Sequence, residues 1–327
     1  MIVIGDIGGT HTRLSLLTAT GRPKAHRVLE SRRFPSLESA MQSFLADAST
    51  PTTKVTAAAF GIAGPVVAGR VVTTNLPWVV DAKALSRKLS IKRVTLLNDL
   101  VALALGALGV SPHKRHVLGD AGAPKRKGAN IAVLAAGTGL GEAMLLWDGA
   151  RFVPSATEGG HTDFAPNDDL EIELLQFLRA RFGHVSWERV LSGEGLANLY
   201  DFFRQAKKIE ETAENAQAIE EAADRNAAIA TLGMKARSEA AARAVERFAM
   251  IYGAEAGNLA LKTMSVGGVY VCGRIAGYLL PVLDRGGFRR AFADKGRFMP
   301  LMEKIPVAVV LDEHVGLAGA ARVALEL

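Results

Sequence analysis

Cysteine occurs once in the 327 residues, at Cys272. A single thiol excludes an intramolecular disulfide and any zinc site built on cysteines, and it suits a reducing compartment. Aromatic residues are scarce, at 6%. The basic clusters, residues 22–33, 113–116 and 125–127, carry no interleaved aromatics on which bases could stack. The formal net charge of +6 therefore reads as solvated surface rather than a nucleic-acid interface, and its mildly positive field suits anionic substrates. No uncharged apolar run reaches the ~18–20 residues of a membrane span. The nearest stretch, Val55 to Gly69, is broken by Pro65 and several glycines. Met1-Ile2-Val3 runs into an apolar strand pattern with no basic leader before it. A cytoplasmic chain is expected, with neither nucleic acid nor membrane as partner.

Glycine is abundant: there are 33, above the usual share of about 7%, and several fall in a few short strings. The first follows the opening strand. Met1 to Ile4 and Leu14 to Leu17 read as short strands flanking Gly5-Asp6-Ile7-Gly8-Gly9-Thr10. Backbone N–H groups in such a turn form an anion-binding concavity. An acid placed there faces phosphate only through a divalent cation, so a nucleotide–metal site is implied. A second strand–turn–strand unit follows about 130 residues later, Ile131 to Leu134, then a turn holding Gly137-Thr138-Gly139-Leu140-Gly141, then Glu142 to Trp147. Both turns sit between strands. This argues against a P-loop, whose Gly-x-x-x-x-Gly-Lys string is absent, and against a Rossmann fingerprint, which needs a helix after the turn.

The length suggests about two domains. Helices are expected over 36–48 with Ser36 as N-cap, over 81–89 with Asp81 as N-cap, and over 100–108. Buried strands are expected at 55–62, 94–97, 267–273 and 307–311. Residues 206–247, rich in Ala, Glu, Lys and Arg, read as solvent-facing helices without chemistry. A terminal helix over 317–325 could pack back on the first domain.

Three polar groups stand out. Asn98-Asp99 closes a strand, where Asp99 could take a proton from an attacking hydroxyl or simply cap the helix that follows. Glu158-Gly159-Gly160-His161 offers paired donors and acceptors of the kind that fix several hydroxyls at once, though an isolated surface acid and a core histidine would look the same. Glu188 could be a surface charge beside Arg189.

Six strings, in order and nearly end to end, resemble the bacterial glucokinase family of the actin/Hsp70/sugar-kinase superfamily. They are G-D-I-G-G-T at 5–10, L-N-D-L-V-A at 97–102, G-T-G-L-G at 137–141, E-G-G-H-T-D-F-A-P at 158–166, E-R-V-L-S-G-E-G-L-A-N-L-Y at 188–200 and F-R-R-A-F-A-D-K-G-R-F at 288–298. The resemblance implies an α/β, two-lobed actin-like (ribonuclease-H-like) fold with a deep interdomain cleft. Residues 1–109, joined by a C-terminal helix at about 312–327, would form a small domain, and residues 110–311 a large one. It implies ATP and Mg²⁺ as cofactors, glucose as acceptor and a homodimer. Asp99 would be the catalytic base. Asn98, Asp99, Glu158, His161 and Glu188 would bind sugar. Gly5, Asp6, Ile7, Gly8, Gly9, Thr10, Gly137, Thr138 and Gly139 would bind nucleotide, with Asp6 holding the metal.

Three departures from the family pattern are visible. His11 stands where Asn is usual, Ala135-Ala136 where Gly-Pro is usual, and Arg274 interrupts a glycine string at 273–277. Arg274 could meet the nucleotide or face solvent. Other readings of the sequence are a kinase for a different hexose or phosphoryl donor, a non-catalytic sugar sensor of the same fold, and an actin-like filament protein. No helix-turn-helix segment precedes the first turn, which weighs against the sensor, and the sugar-type strings weigh against the filament.

Overall fold

The structure is a computed structural model and describes residues 1–73, 75–125 and 127–326. Apolar residues on both faces of the first strand set the first sheet. β1 (Ile2–Ile7) pairs antiparallel with β2 (His11–Leu17), Ile2 opposite Leu17 and Ile7 opposite Thr12. β3 (Pro23–Glu30) extends the meander as the sheet edge. On the other side of β1 lies β4 (Ala57–Ile62), parallel and buried at all six positions. Complete burial is what a parallel strand covered on two faces requires. β5 (Arg70–Val72) and β6 (Val79–Asp81) make a separate two-stranded ribbon. β7 (Arg93–Asn98) joins β4 in parallel, giving the order β3-β2-β1-β4-β7.

The strands of the first hairpin are longer than the apolar pattern suggests. Gly5, Asp6 and Ile7 belong to β1, and the turn is Gly8-Gly9-Thr10 alone. Gly5 is a packing position: a side chain there would lie 2.7 Å from Phe60 and 2.9 Å from Leu14. Ile7 is a core residue. Both were expected in the turn, and the structure places them instead in the strand that leads into it.

Helices α1 (Leu37–Asp47) and α2 (Ala82–Leu89) start where expected, with Ser36 accepting from Ser39 N–H and Asp81 from Ala84 N–H. α3 (Asp99–Ala107) follows β7 directly.

The second sheet repeats the first. β9 (Ile131–Ala136) and β10 (Leu140–Trp147) form an antiparallel hairpin, and β11 (Phe152–Thr157) continues the meander. β12 (Gly268–Cys272) and β13 (Val307–Val310) add in parallel. β8 (Arg115–Val117) closes the far edge antiparallel, giving β11-β10-β9-β12-β13-β8. Apart from β8 the order and directions match those of the first sheet.

Five helices lie between β11 and β12: α4 (Asp169–Phe182), α5 (Gly193–Gln205), α6 (Ala213–Glu220), α7 (Arg225–Met234) and α8 (Glu239–Thr263). Solvent-facing helices are found at α6, whose single buried residue is Ile219. The start of α8 differs: Ala240, Ala241, Ala244 and Val245 are buried. Alanine is both a good helix former and small enough to let the helix run through a packed core. α9 (Arg274–Tyr278) follows β12.

Two compact units result. One comprises Met1–Ser111, Pro154–Ala156 and Asp312–Leu327, the other Pro112–Val153 and Thr157–Leu311. The C-terminal helix, Val315–Glu326, packs within the first unit against α3. Gly106 and Gly319 allow that crossing, because a methyl at either would collide with the other helix's backbone at Val315 or Ala102. No helix among the described residues is long and apolar enough to cross a membrane.

Candidate active site

Both hairpin turns are built alike. In the first unit Gly8 N–H donates to His11 C=O at 3.0 Å. Ser31 fixes the turn from behind, its hydroxyl donating to Gly8 C=O at 2.8 Å and its N–H to Thr10 C=O at 3.0 Å. In the second unit Gly137 N–H donates to Gly139 C=O at 2.8 Å, and Gly193 N–H donates to Gly137 C=O at 2.9 Å. Within the described residues no hydrogen bond takes the N–H groups of Gly9, Thr10, Thr138 or Gly139. Each turn by itself thus presents two backbone donors, the arrangement that receives phosphate oxygens.

Asp6 lies on β1 directly opposite Arg13 on β2, and the two form an ion pair at 3.1 Å. Burial pushes the Asp6 carboxyl up, opposed by the Arg13 charge and hydrogen bond. The C-terminal helix begins beside this carboxyl, Gly316 facing it. Among the described residues no group of three or more His, Cys, Asp or Glu could hold a metal by itself. Asp6 nevertheless fits Mg²⁺, which is typically bound by one or two carboxylates, several waters and substrate phosphates.

Asn98 and Asp99 stand at the β7–α3 junction. The cap of α3 is Asn98, whose Oδ1 accepts from Leu100 N–H at 2.9 Å and Val101 N–H at 3.3 Å. Its Nδ2 donates to Gly64 C=O at 3.2 Å. An amide nitrogen has two hydrogens, so one N–H of Asn98 is left to offer a ligand. Asp99 is the first residue of α3, half-buried, with Oδ1 accepting from Leu100 N–H at 2.9 Å. Asn98 is thus the N-cap, and Asp99 shares the Leu100 N–H with it.

Glu158 precedes and His161 ends a single helical turn at Gly159–His161, closed by His161 N–H to Glu158 C=O at 3.0 Å. Both side chains are exposed. Thr162 C=O accepts from Trp187 N–H at 3.0 Å, and the rings of Phe164 and Trp187 pack edge to face at 5.2 Å. This stitching packs the turn at Gly159–His161 against the turn at Trp187–Arg189, which carries Glu188. Glu188 is not a loose surface acid, because its Oε2 accepts from Leu140 N–H at 3.0 Å. It ties the sugar-type string to the second phosphate-type turn. Ser192 adds to this, donating to Glu188 C=O at 2.8 Å and capping α5 by accepting from Gly195 N–H at 2.9 Å.

Two residues were missed in the sequence. Arg13 was legible by counting outward from the turn, which puts it opposite Asp6. Tyr252, on α8, accepts from Ala136 N–H at 3.0 Å and left no local signal. Burial, reinforced by Cys272 and Glu142, drives its phenol well above the usual range, so it stays neutral. Of the three departures, His11 opens β2 and is exposed, and Arg274 opens α9 and is exposed. Ala135-Ala136 ends β9.

The model of the family described as Glucokinase matches residues 3–327. A glucokinase of Nostoc sp. PCC 7120 is 38% identical, over 100% of this chain and 99% of its own. That of Synechocystis sp. PCC 6803 is 39% identical, over 97% and 96%. Among solved structures, a glucokinase from an Antarctic psychrotroph superposes with a TM-score of 0.84 at 29% identity, covering 100% and 99% of the two chains. The glucose complex of Balamuthia mandrillaris glucokinase does so at 0.80 and 20%, covering 99% and 93%.

Proposed function

The chain belongs to the glucokinase family of ATP-dependent hexose kinases, with their actin-like two-lobed α/β fold, and on that premise we propose the following reaction. The γ-phosphoryl group of MgATP is transferred to the 6-hydroxyl of D-glucose, giving glucose 6-phosphate and ADP. The observation that carries this reading is the repeated hairpin turn, one per unit, with N–H groups that are unengaged among the described residues; it is joined by a carboxylate, Asp99, that opens α3 directly after β7.

Each residue's part follows from its chemistry. The N–H groups of Gly9, Thr10, Thr138 and Gly139 donate to the polyphosphate. Asp6 holds Mg²⁺, which when bound neutralises charge on the phosphate oxygens. Asp99 accepts the proton of the 6-hydroxyl as that oxygen attacks phosphorus and the bond to the ADP oxygen breaks. Asn98 donates its remaining N–H to a neighbouring hydroxyl. Glu158, His161 and Glu188 pair with the other hydroxyls, so that a sugar lacking one leaves them unsatisfied. Phosphoryl transfer is mostly positioning and charge neutralisation, which is why rigid backbone donors suit it.

A cytoplasmic location is supported by the single cysteine, Cys272, which suits a reducing compartment. A homodimer is the assembly the family resemblance supports, and light scattering at twice the chain mass checks it. The reaction is tested by coupled assays with glucose, mannose, fructose and N-acetylglucosamine, each with ATP, ADP and polyphosphate. Turnover highest with glucose and ATP is expected. Failure with that pair and activity with another replaces the substrate assignment.

A further inference from the structure

The hairpin that carries the second turn is opened by the opposed pair Ala136 and Leu140. Both amides of that pair point away from the partner strand. Leu140 N–H goes to Glu188 Oε2 at 3.0 Å, and Ala136 N–H goes to the Tyr252 hydroxyl at 3.0 Å. With Gly193 N–H on Gly137 C=O, the turn is gripped at three successive points along its root. Glu188 belongs to the site already assigned. Tyr252 does not: it lies 116 residues away in sequence, in the middle of the longest helix, and is fully buried.

Its ring cannot swing away. Phe248 and Phe288 pack edge to face on it, with centroids at 5.8 and 5.9 Å. The hydroxyl is therefore a fixed acceptor carried by the core, and it meets the last backbone N–H before the phosphate-type turn. A buried N–H without an acceptor carries its full desolvation cost. Ala136 ends β9 where the ladder to β12 runs out, Cys272 standing opposite Ala135, so the hydroxyl is a second, core-anchored acceptor on that last N–H; without it the strand end is held less tightly, and so are the donors at Thr138 and Gly139, two and three residues on.

We propose that Tyr252 is a positioning residue for the second phosphate turn. Its hydroxyl fixes the Ala136 peptide so that the Thr138 and Gly139 N–H groups are held ready for the nucleotide phosphates. The proposal rests on the reading of that turn as a nucleotide site. It concerns a residue that touches neither substrate nor the reacting atoms, and its effect is confined to the nucleotide.

The test uses the full-length Tyr252→Phe variant, which keeps the ring and removes only the acceptor. Binding of a non-hydrolysable ATP analogue with Mg²⁺, and separately of glucose, is measured by calorimetry. Hydrogen exchange of the 131–140 segment is followed in parallel. The expected result is about tenfold weaker analogue binding, glucose affinity unchanged, and faster exchange at one amide. Unchanged analogue affinity in Tyr252→Phe overturns the proposal, as does an equal loss for glucose. A wild type that binds glucose but no nucleotide overturns the underlying reading of the turn, and is distinguished because the exchange difference at Ala136 persists.

Discussion

At the residue scale the most unusual group is Glu142. It sits on β10 just past the second turn and is 2% exposed. Its carboxyl fills the space that a side chain on Gly159 would need. Glu255 of α8, fully buried, lies next to it, with Asn258 bonded to Glu255 at 2.8 Å and Lys262 at 3.6 Å. Burial, with the Glu255 charge beside it, pushes the Glu142 carboxyl up to about 8, and burial raises Glu255 too. Two such carboxyls share one proton more readily than they bear two charges. The folded state thus binds more protons than the unfolded chain from the ordinary carboxylate range up to about 8. Stability from this pair is complete at low pH and is lost as pH rises through that window. Glu142→Gln removes the titration. Its melting temperature is expected to exceed the wild type's increasingly from pH 5 to pH 8.5. Parallel melting-temperature profiles for the two proteins would contradict the shared proton.

At the element scale, junctions decide what each strand delivers. Helices α1 and α2 were legible to within a residue because their caps, Ser36 and Asp81, are local signals. The β7–α3 junction was read correctly as a strand end carrying two polar residues, but the cap is Asn98, one residue earlier than the acid. β1 was read short because Gly5-Asp6 interrupts its apolar run. The strand continues because Gly5 fits under Phe60 and because Asp6 finds Arg13 across the hairpin. Such compensation is tertiary and leaves no mark in a window of a few residues. Ser192 ties an element to the site. Ser192→Ala is expected to cost about 1 kcal/mol of stability through the lost α5 cap and to weaken glucose binding through Glu188. Chemical denaturation and calorimetry read the two effects. The α3–C-terminal helix crossing is the other sensitive junction. Gly319→Val should destabilise by about 1–3 kcal/mol from overpacking, seen as a lower denaturation midpoint, since a side chain there would meet the Ala102 backbone.

At the scale of the molecule, one sheet plan serves twice, and the two phosphate-type turns occupy equivalent hairpins in the two units. The sequence signalled this duplication through spacing alone, while the residues expected to meet the sugar depended on longer strings taken together. What the sequence concealed were partners joined through space, Tyr252 to Ala136 and Glu188 to Leu140, since nothing local marks a hydroxyl or carboxylate as spoken for. The account as a whole turns on Asp99 as the group that takes the proton. The most direct measurement is glucose phosphorylation by MgATP in wild type and Asp99→Ala, with glucose binding to both followed by calorimetry. The account predicts a fall in kcat of about 10²–10⁴ with glucose binding still measurable. Turnover near that of the wild type would contradict it.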